Sequence, residues 1–404
     1  MLPPSWLGIA LLAGAPGLGF DEALVLAARH PAALAASRAL DARRAHDADI
    51  SGLAGQPSLQ ILPGWRLPGA ESPGFEGQLS LSMPLDTGGI GSARQAAAKE
   101  ERAALSAGLR AEVLTRSLDV ARAWLRLWGA EQALELANGE RALAEDLAER
   151  ISRAVRLGAA VETEALEARL EADQATREAI DAEGQLHDAA LGLEQALGGN
   201  GDGLPSTTGA PPEVPLPGRE AWPAWLERAR QLPDALAARR AALAAERRVA
   251  GTRAQGSTWI SPTVQAQWEQ PGEALLFVGA TVTPSIFSTQ ARAESQARAE
   301  AQLEAGRAEA KEAAAGVALH ADFHELEHTR ELEAHARGAM LPTARAWLSA
   351  TERLLSAGEI EVRSVLLARR RLARIQREIL ALETERRWAE LRVWLQLSAL
   401  EESS

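Results

Sequence analysis

The chain has 404 residues, a formal net charge of −12 and no cysteine. Without cysteine, a disulfide scaffold, a thiolate metal site and a cysteine nucleophile are excluded. The acidic balance disfavours nucleic acid as the main partner, because such partners require a basic surface. The sequence contains no run of about 18 apolar residues, so no ordinary membrane-spanning helix is predicted. The mean hydropathy of −0.15 agrees with this. Strands that alternate between apolar and polar residues raise the mean hydropathy little, so the sequence still allows strands that contact lipid.

The N-terminus resembles a secretory signal. Residues 6–13 form a short apolar segment that is followed by small residues. This pattern predicts a signal peptide over residues 1–19, with cleavage after Ala15 or Gly19. Because no Lys or Arg precedes the apolar segment, the alternatives are a disordered N-terminus or a misassigned start codon.

The chain reads as two copies of one plan. Each copy is predicted to contain a helix, two strands, a very long helix, a glycine break and another long helix. We therefore expect a first repeat at 20–197, a linker at 198–218 and a second repeat at 219–404. The Gly-rich 198–203 resembles a single calcium-binding nonapeptide, but one copy favours a plain linker. The landmarks that recur about 200 residues apart are 29–31 with 231–233, 56–59 with 261–264, 82–85 with 282–285, and 156–158 with 356–358.

The predicted strands alternate between apolar and polar residues. Such alternation is typical of a strand between lipid and water, but also of a half-buried soluble sheet. Trp65, Trp259 and Trp268 are candidates for an aromatic girdle at the bilayer interfaces. The apolar positions are Leu79, Leu81, Met83 and Leu85 in the first copy, and Val264, Ala266, Trp268, Leu276, Val278, Ala280 and Val282 in the second.

The helical segments are unusually long. No proline occurs from Ala93 to Leu157, which predicts a helix of roughly 97 Å. Further helices are predicted from Gly158 to Leu197 and from Trp222 to Ala254, and Pro342 is expected to kink or restart the long helix of the second copy. Coiled-coil spacing occurs at Leu136, Leu143, Leu147, Ile151 and Ala154, and at Leu372, Ile375, Ile379 and Leu382.

Four strands cannot close a barrel. Their two open edges would cost several kcal/mol for each unpaired backbone group in hydrocarbon. If the strands meet lipid, the chain must oligomerise, and three copies would supply about 12 strands. Polar strand faces would then line a lumen, and the helices would continue its wall as a conduit.

Several local motifs, in this order and spacing, resemble those of the outer-membrane efflux proteins, the TolC-like channels. Leu-Pro-Thr-Ala-Arg at 341–345, followed by Ser-Ala-Gly-Glu-Ile at 356–360, resembles the family's L-P-x-A and A-G-x pattern. Gly158 with Glu-Ala-Leu-Glu-Ala at 164–168 resembles its G-x5-D-V-L-x-A signature, and Gly358 with 364–368 is a second copy. Ser-Met-Pro-Leu at 82–85 resembles its strand-end motif.

The resemblance implies a mainly α fold with a small β part and an internal duplication. A long α-helical coiled-coil tunnel would be joined to a four-strand contribution to a trimeric, 12-stranded transmembrane β-barrel. It further implies a homotrimer in outer-membrane lipid, with a periplasmic extension that docks to a periplasmic adaptor (membrane fusion) protein and an inner-membrane transporter. Adaptor contacts would fall on the periplasmic tips at Arg156, Leu157, Gly158, Ala159, Ala357, Gly358 and Glu359.

In this family, carboxylates just after the tip help to close the aperture. Glu164 and Glu167 occupy those positions in the first copy. The second copy has Ser364 and Leu367 there, so Glu361, beside Glu359, is a further aperture candidate. The alternative is that these side chains are solvated helix charges.

A rival interpretation is a zinc hydrolase. His-Glu-Leu-Glu-His at 324–328 fits the H-E-x-x-H motif, which places two imidazoles on one helix face beside a catalytic carboxylate. The motif fixes only three positions of a Glu-rich rod, so the row of His320, His324 and His328 is interpreted as a solvated or subunit-facing stripe, with weak metal binding left open. The sequence therefore predicts a passive export duct that is not an enzyme and needs no cofactor or resident metal. Whether it exports drugs, heavy metals or proteins stays unresolved.

Overall fold

The computed structural model describes residues 17–48, 57–66, 74–83, 85–86, 88–199, 204–257, 259–269, 273–283 and 290–402. The chain forms two compact units. The first consists of Met1–Ala35, Glu112–Ala229 and Gly316–Ser404, and the second of Ala36–Ala111 and Arg230–Ala315. Each unit contains residues from both halves of the sequence, so the two compact units do not coincide with the two predicted repeats. The boundaries of the repeats stay a prediction.

Helices dominate the described chain, and four strands form one sheet, as predicted for the fold class. In chain order the elements are α1 (Phe20–Ala28), α2 (Pro31–Ala48), β1 (Ser58–Arg66), β2 (Gly74–Ser82), α3 (Ile90–Arg156), α4 (Glu162–Leu197), α5 (Trp222–Arg228), α6 (Pro233–Gln255), β3 (Trp259–Glu269), β4 (Glu273–Thr283), α7 (Gln290–His335), α8 (Leu341–Ser356) and α9 (Val362–Glu401).

The first long helix, α3, has 67 residues, which corresponds to about 100 Å. Its start is set by Asp86, whose Oδ1 accepts a hydrogen bond from the Ile90 N–H at 2.6 Å and whose Oδ2 accepts one from the Gly91 N–H at 2.8 Å. These bonds satisfy two of the four N–H groups that a helix leaves without an internal partner. The predicted long helix is therefore confirmed, with a carboxylate at its positive end.

One predicted helix is wrong. Instead of continuing from Trp222 to Ala254, the chain forms α5, a 3₁₀ turn at Ala229–Gln231 and then α6. Leu232 takes φ −54° and ψ 142°, because a proline disfavours helical geometry in the residue before it. Pro31 separates α1 from α2 in the same way. The expected restart at Pro342 is found, since a π-helical turn at Ala336–Met340 leads into α8.

The second unit carries an antiparallel sheet of order β1-β2-β3-β4. Its register aligns the predicted apolar positions in continuous rows across all four strands. One row is Ile61, Leu79, Ala266 and Leu276, and the next is Leu59, Leu81, Val264 and Val278. Polar residues occupy most of the first three strands on the other face, as in the row Gln60, Ser80, Gln265.

The apolar face of this sheet is not covered by other described residues. Leu276 is 71% exposed and Val278 is 78% exposed, and the large apolar side chains of the other strands are exposed as well. A half-buried soluble sheet would hide such a face against a core. The structure therefore favours the alternative in which this face meets an apolar surrounding.

The core of the first unit lies around Trp124. This side chain is fully buried, contacts Phe20 edge-to-face at 5.4 Å, and donates a hydrogen bond from Nε1 to the Leu18 carbonyl oxygen at 2.9 Å. Leu18 also pairs in parallel with Thr207 of the predicted linker. Residues 1–16 of the predicted signal peptide lie outside the described residues. The described part of the linker thus lies against the helices rather than apart from them.

Candidate functional site

Two turns, each with a glycine at its centre, join the long helices of the first unit. Gly158 follows α3 with φ +75°, and Gly358 follows α8 with φ +72°. Left-handed values of φ are readily adopted only by glycine. Both turns make the same bonds: the glycine N–H donates three residues back, at 2.9 Å, and the next N–H donates five residues back, at 2.8 and 3.0 Å. This Schellman pattern ends both helices in the same way.

After each turn the chain is extended for one residue before the next helix begins. Val161 precedes α4 and Glu361 precedes α9. In the first copy the Glu164 Oε2 accepts a hydrogen bond from the Val161 N–H at 3.2 Å. Glu164 therefore caps its own helix, a role that the sequence analysis did not assign. Glu167 and Glu361 are exposed and keep their carboxylates available to solvent or a partner.

The two turns are held together by one hydrophobic cluster. Buried Ile151 from α3, Ala168 from α4, and Val362 and Leu366 from α9 form it, and Leu355 of α8 packs against it. All four helices thus meet within about two helical turns of the glycines. The structure brings the predicted tip segments to one end of this four-helix arrangement.

Beyond this cluster the turn residues themselves are exposed. Leu157 is 83% exposed and Val161 is 61% exposed, next to the small residues Gly158 and Ala159. Ala357, Gly358 and Glu359 are likewise exposed. Single exposed apolar side chains are common on protein surfaces, so contact of a partner with these turns stays a prediction.

A set of ion pairs joins the helices farther from the turns. Arg370 of α9 pairs with Glu171 of α4, and Arg377 donates to Glu178 at 2.7 Å. Arg377 also lies 3.9 Å from Glu140 of α3. The hydrogen bond that Arg370 donates to the Glu171 carboxylate raises the pKa of Arg370 above its usual value. Glu171 and Glu178, like Arg370 and Arg377, are one heptad apart in the sequence, but this spacing does not show which helices become neighbours.

These ion pairs border a cavity of about 330 Å³. Its apolar lining includes Leu143, Leu147 and Leu372. Burial raises the pKa of Glu140, and the attraction of Arg377 only partly opposes this. Within the part of the chain that the structure describes, the Glu140 Oε1 has no hydrogen-bond partner. Glu140 therefore lies at the edge of the cavity in an environment that disfavours its charged form.

The H-E-x-x-H segment does not form a hydrolase site. His320, His324 and His328 are exposed, and the Glu325 Oε2 accepts a hydrogen bond from Arg392 at 2.7 Å. A metalloprotease needs that carboxylate beside a metal-bound water. Among the described residues, no group of three or more His, Asp or Glu side chains is arranged to hold a metal ion.

Of the three predicted girdle residues, only the Trp268 side chain is described. It is 39% exposed and lies over Gly77 of β2, where an added Cβ would come within 2.2 Å of the indole ring. The Trp65 and Trp259 side chains lie outside the described part. In the described ranges, no helix combines the length and the apolar character that crossing a membrane requires.

Known proteins share both the sequence pattern and the fold. The family model of the outer membrane efflux proteins matches residues 25–199. Among solved structures, CusC, studied for its transmembrane channel formation, has a TM-score of 0.78 at 17% identity, over 94% of this chain and 91% of its own. The CmeC outer membrane channel of Campylobacter jejuni has 0.75 at 14%, over 94% and 85%. The outer membrane protein VceC of Vibrio cholerae has 0.74 at 17%, over 94% and 95%. No curated protein matches by sequence.

The resemblance that the sequence motifs indicate is therefore confirmed. The family match covers most of the first predicted repeat, and the shared fold extends over nearly the whole chain. The predicted location in the outer membrane and the predicted channel role agree with the description of the matched family. The individual tip and aperture residues stay predictions.

The two carboxylates that face Arg377 should respond oppositely to neutralisation. Glu178→Gln removes a 2.7 Å ion pair and should lower stability by roughly 1 kcal/mol. Glu140→Gln should raise the melting temperature at pH 8, because the raised pKa of Glu140 means that its carboxylate destabilises the fold above that pKa. Below the pKa that Glu140 has in the unfolded chain, its carboxyl group is neutral in both the folded and the unfolded state. The gain in melting temperature should therefore vanish near pH 4.

Thermal unfolding of the detergent-solubilised protein at both pH values measures this. Glu145→Gln, an exposed glutamate of α3, is the matched control and should change little. A destabilising Glu140→Gln at pH 8 would contradict the assignment.

Proposed function

We propose that this chain is the outer-membrane component of a tripartite export system, in which three copies form a passive duct. The observation that carries the proposal is the exposed, continuous apolar face of the four-stranded sheet. Exposing this many large apolar side chains on one sheet face would be costly in water. They are Leu59, Ile61, Leu79, Leu81, Ile260, Val264, Trp268, Leu276, Val278 and Val282. In lipid the same face is favourable.

The edges of the sheet support a trimer. Among the described strands, β1 and β4 are the outer ones, and their outer backbone groups need partners in hydrocarbon. Pairing β4 of one copy with β1 of the next satisfies both edges at once. Three copies give twelve strands, an even number within the range of such barrels. The more polar face of the sheet would then line the lumen.

The exposed tips support docking to a periplasmic adaptor. Leu157 projects from the first turn, and the neighbouring small residues allow another backbone to approach closely. Energy for export would come from an inner-membrane transporter, because no group in the described site carries out chemistry. We propose that drugs, metal ions or proteins are selected by that transporter rather than by this chain.

We further propose that Glu167 and Glu361 narrow the aperture electrostatically. Both are exposed beside the turns, whereas Glu164 is engaged as a helix cap. In a trimer each residue would occur three times around the axis, so the ring would attract cations and repel anions.

The proposed channel is tested by its mass and its conductance. The protein extracted in mild detergent should have a protein mass of about 129 kDa, three times the 43.0 kDa chain, and should form discrete single channels in planar bilayers. A detergent-independent monomer without channel activity would refute the proposal.

Docking is tested by Leu157→Ser. This variant should still form trimeric channels but should lose most export in cells that supply the adaptor and the transporter. Val317→Ser removes a similarly exposed apolar side chain, 72% exposed on α7, and should leave export intact. Equal export by the two variants would argue against contact at the tip.

The aperture is tested with Glu167→Gln and Glu361→Gln together. Cation selectivity, measured as the reversal potential in a salt gradient, should fall towards zero, because the ring charge is removed. Glu164→Ala should instead lower thermal stability by about 0.5–1 kcal/mol through the lost cap and change selectivity less. An unchanged reversal potential in the double variant would show that these side chains are merely solvated.

A further inference from the structure

Four of the seven histidines of the chain, His320, His324, His328 and His335, fall within 16 residues on α7. None of the proposed channel functions uses them. His324 and His328 are one helical turn apart, and their rings lie 6.4 Å apart, centre to centre, with only 30° between their planes. Both rings are exposed, so an ion can reach them from solvent.

We propose that His324 and His328 form a two-imidazole site for a divalent transition-metal ion, with Cu²⁺ bound most tightly. Metal–nitrogen bonds to histidine are about 2.0–2.1 Å long. An imidazole binds a metal through a nitrogen lone pair that lies in the ring plane, so the ion would not sit between the stacked ring faces. Rotation about the side-chain torsions would turn one nitrogen of each ring towards a common ion, and the one-turn spacing keeps both rings on one helix face.

The helix that carries the pair is already fixed in place. Leu319, Phe323 and Leu326 on its opposite face are buried, and Trp222 stacks on Phe323 with the ring centres 4.6 Å apart. The buried Thr329 hydroxyl donates to the Glu325 carbonyl oxygen at 2.8 Å. Because the backbone is held in this way, binding has little ordering cost beyond the two imidazoles.

The charges around the pair decide what kind of site it is. Glu325 pairs with Arg392, and the Glu327 Oε1 accepts a hydrogen bond from Arg219 at 2.8 Å. Two of the neighbouring carboxylates are thus engaged elsewhere. Two neutral nitrogen ligands favour Cu²⁺, Ni²⁺ and Zn²⁺ over Mg²⁺ and Ca²⁺. Among the first three ions, Cu²⁺ binds such ligands most tightly. Water would fill the remaining positions, so the site binds an ion without hydrolysing a substrate.

The pair also differs from its neighbours in a way that provides controls. His335 lies on the same helix and is exposed, but residues 331 and 339 at one-turn spacing are Glu and Ala. His320 has His324 at that spacing, whereas the close contact between rings is between His324 and His328.

The test measures Cu²⁺ binding to the untagged, detergent-solubilised full chain by titration calorimetry, with glycine as a competing chelator. Electron paramagnetic resonance of the bound ion reports its nitrogen ligands. We expect one Cu²⁺ per chain with imidazole couplings, at least tenfold weaker binding in both His324→Ala and His328→Ala, and a change below twofold in His335→Ala. Circular dichroism and particle mass confirm that the variants remain folded and assembled.

Binding that is unchanged in His324→Ala would overturn the site. Loss in His324→Ala with full retention in His328→Ala would reject the assigned pair and place the ion at His320 and His324. Mg²⁺ competing as well as Ni²⁺ would contradict the proposed nitrogen ligation. Single-channel conductance without metal should be the same in all these variants, so failure of the metal site is distinguishable from failure of the channel.

Discussion

Every backbone N–H and C=O in hydrocarbon needs a protein partner, and this requirement governs the sheet. Four antiparallel strands satisfy one another internally but end in β1 and β4. Their exposed apolar rows are unfavourable in water, and their outer edges are unfavourable in lipid. Under the proposed function, closure with further copies of the same chain relieves both conditions.

The long helices of the first unit depend on a different constraint, because the chain must end one helix and reverse direction at each glycine turn. Both reversals use a glycine at positive φ with the same pattern of backbone bonds. A β-carbon at Gly158 or Gly358 would have open space around it, so the conformation, not crowding, calls for glycine. The cluster around Ile151 and Val362 then ties the reversals together.

The sequence was most informative where a physical rule acts locally. Alternation predicts the strand faces at Leu79 and Val264, and Gly158 and Gly358 predict the helix ends. It misjudged the segment around Pro233, where composition favoured a helix but proline removed a hydrogen bond and forced Leu232 out of helical geometry. It did not predict that Glu164 caps its own helix, because a glutamate after a turn can cap its own helix or face a partner with the same sequence. The Arg377–Glu178 pair depends on which helices become neighbours, and spacing alone does not decide that.

The Arg377–Glu178 pair belongs to a row of ion pairs between α4 and α9. The pairs Glu171–Arg370 and Glu178–Arg377 each span 199 residues, one residue short of the offset between the two glycines. Both helices leave their turns in the same direction, so α4 and α9 run side by side, with the acids of these pairs on one and the arginines on the other. Because the two pairs lie one heptad apart, they fix the position of α4 along α9. The turns that precede both helices are thereby held at one level, which the exposed tip residues need if a single partner is to contact both.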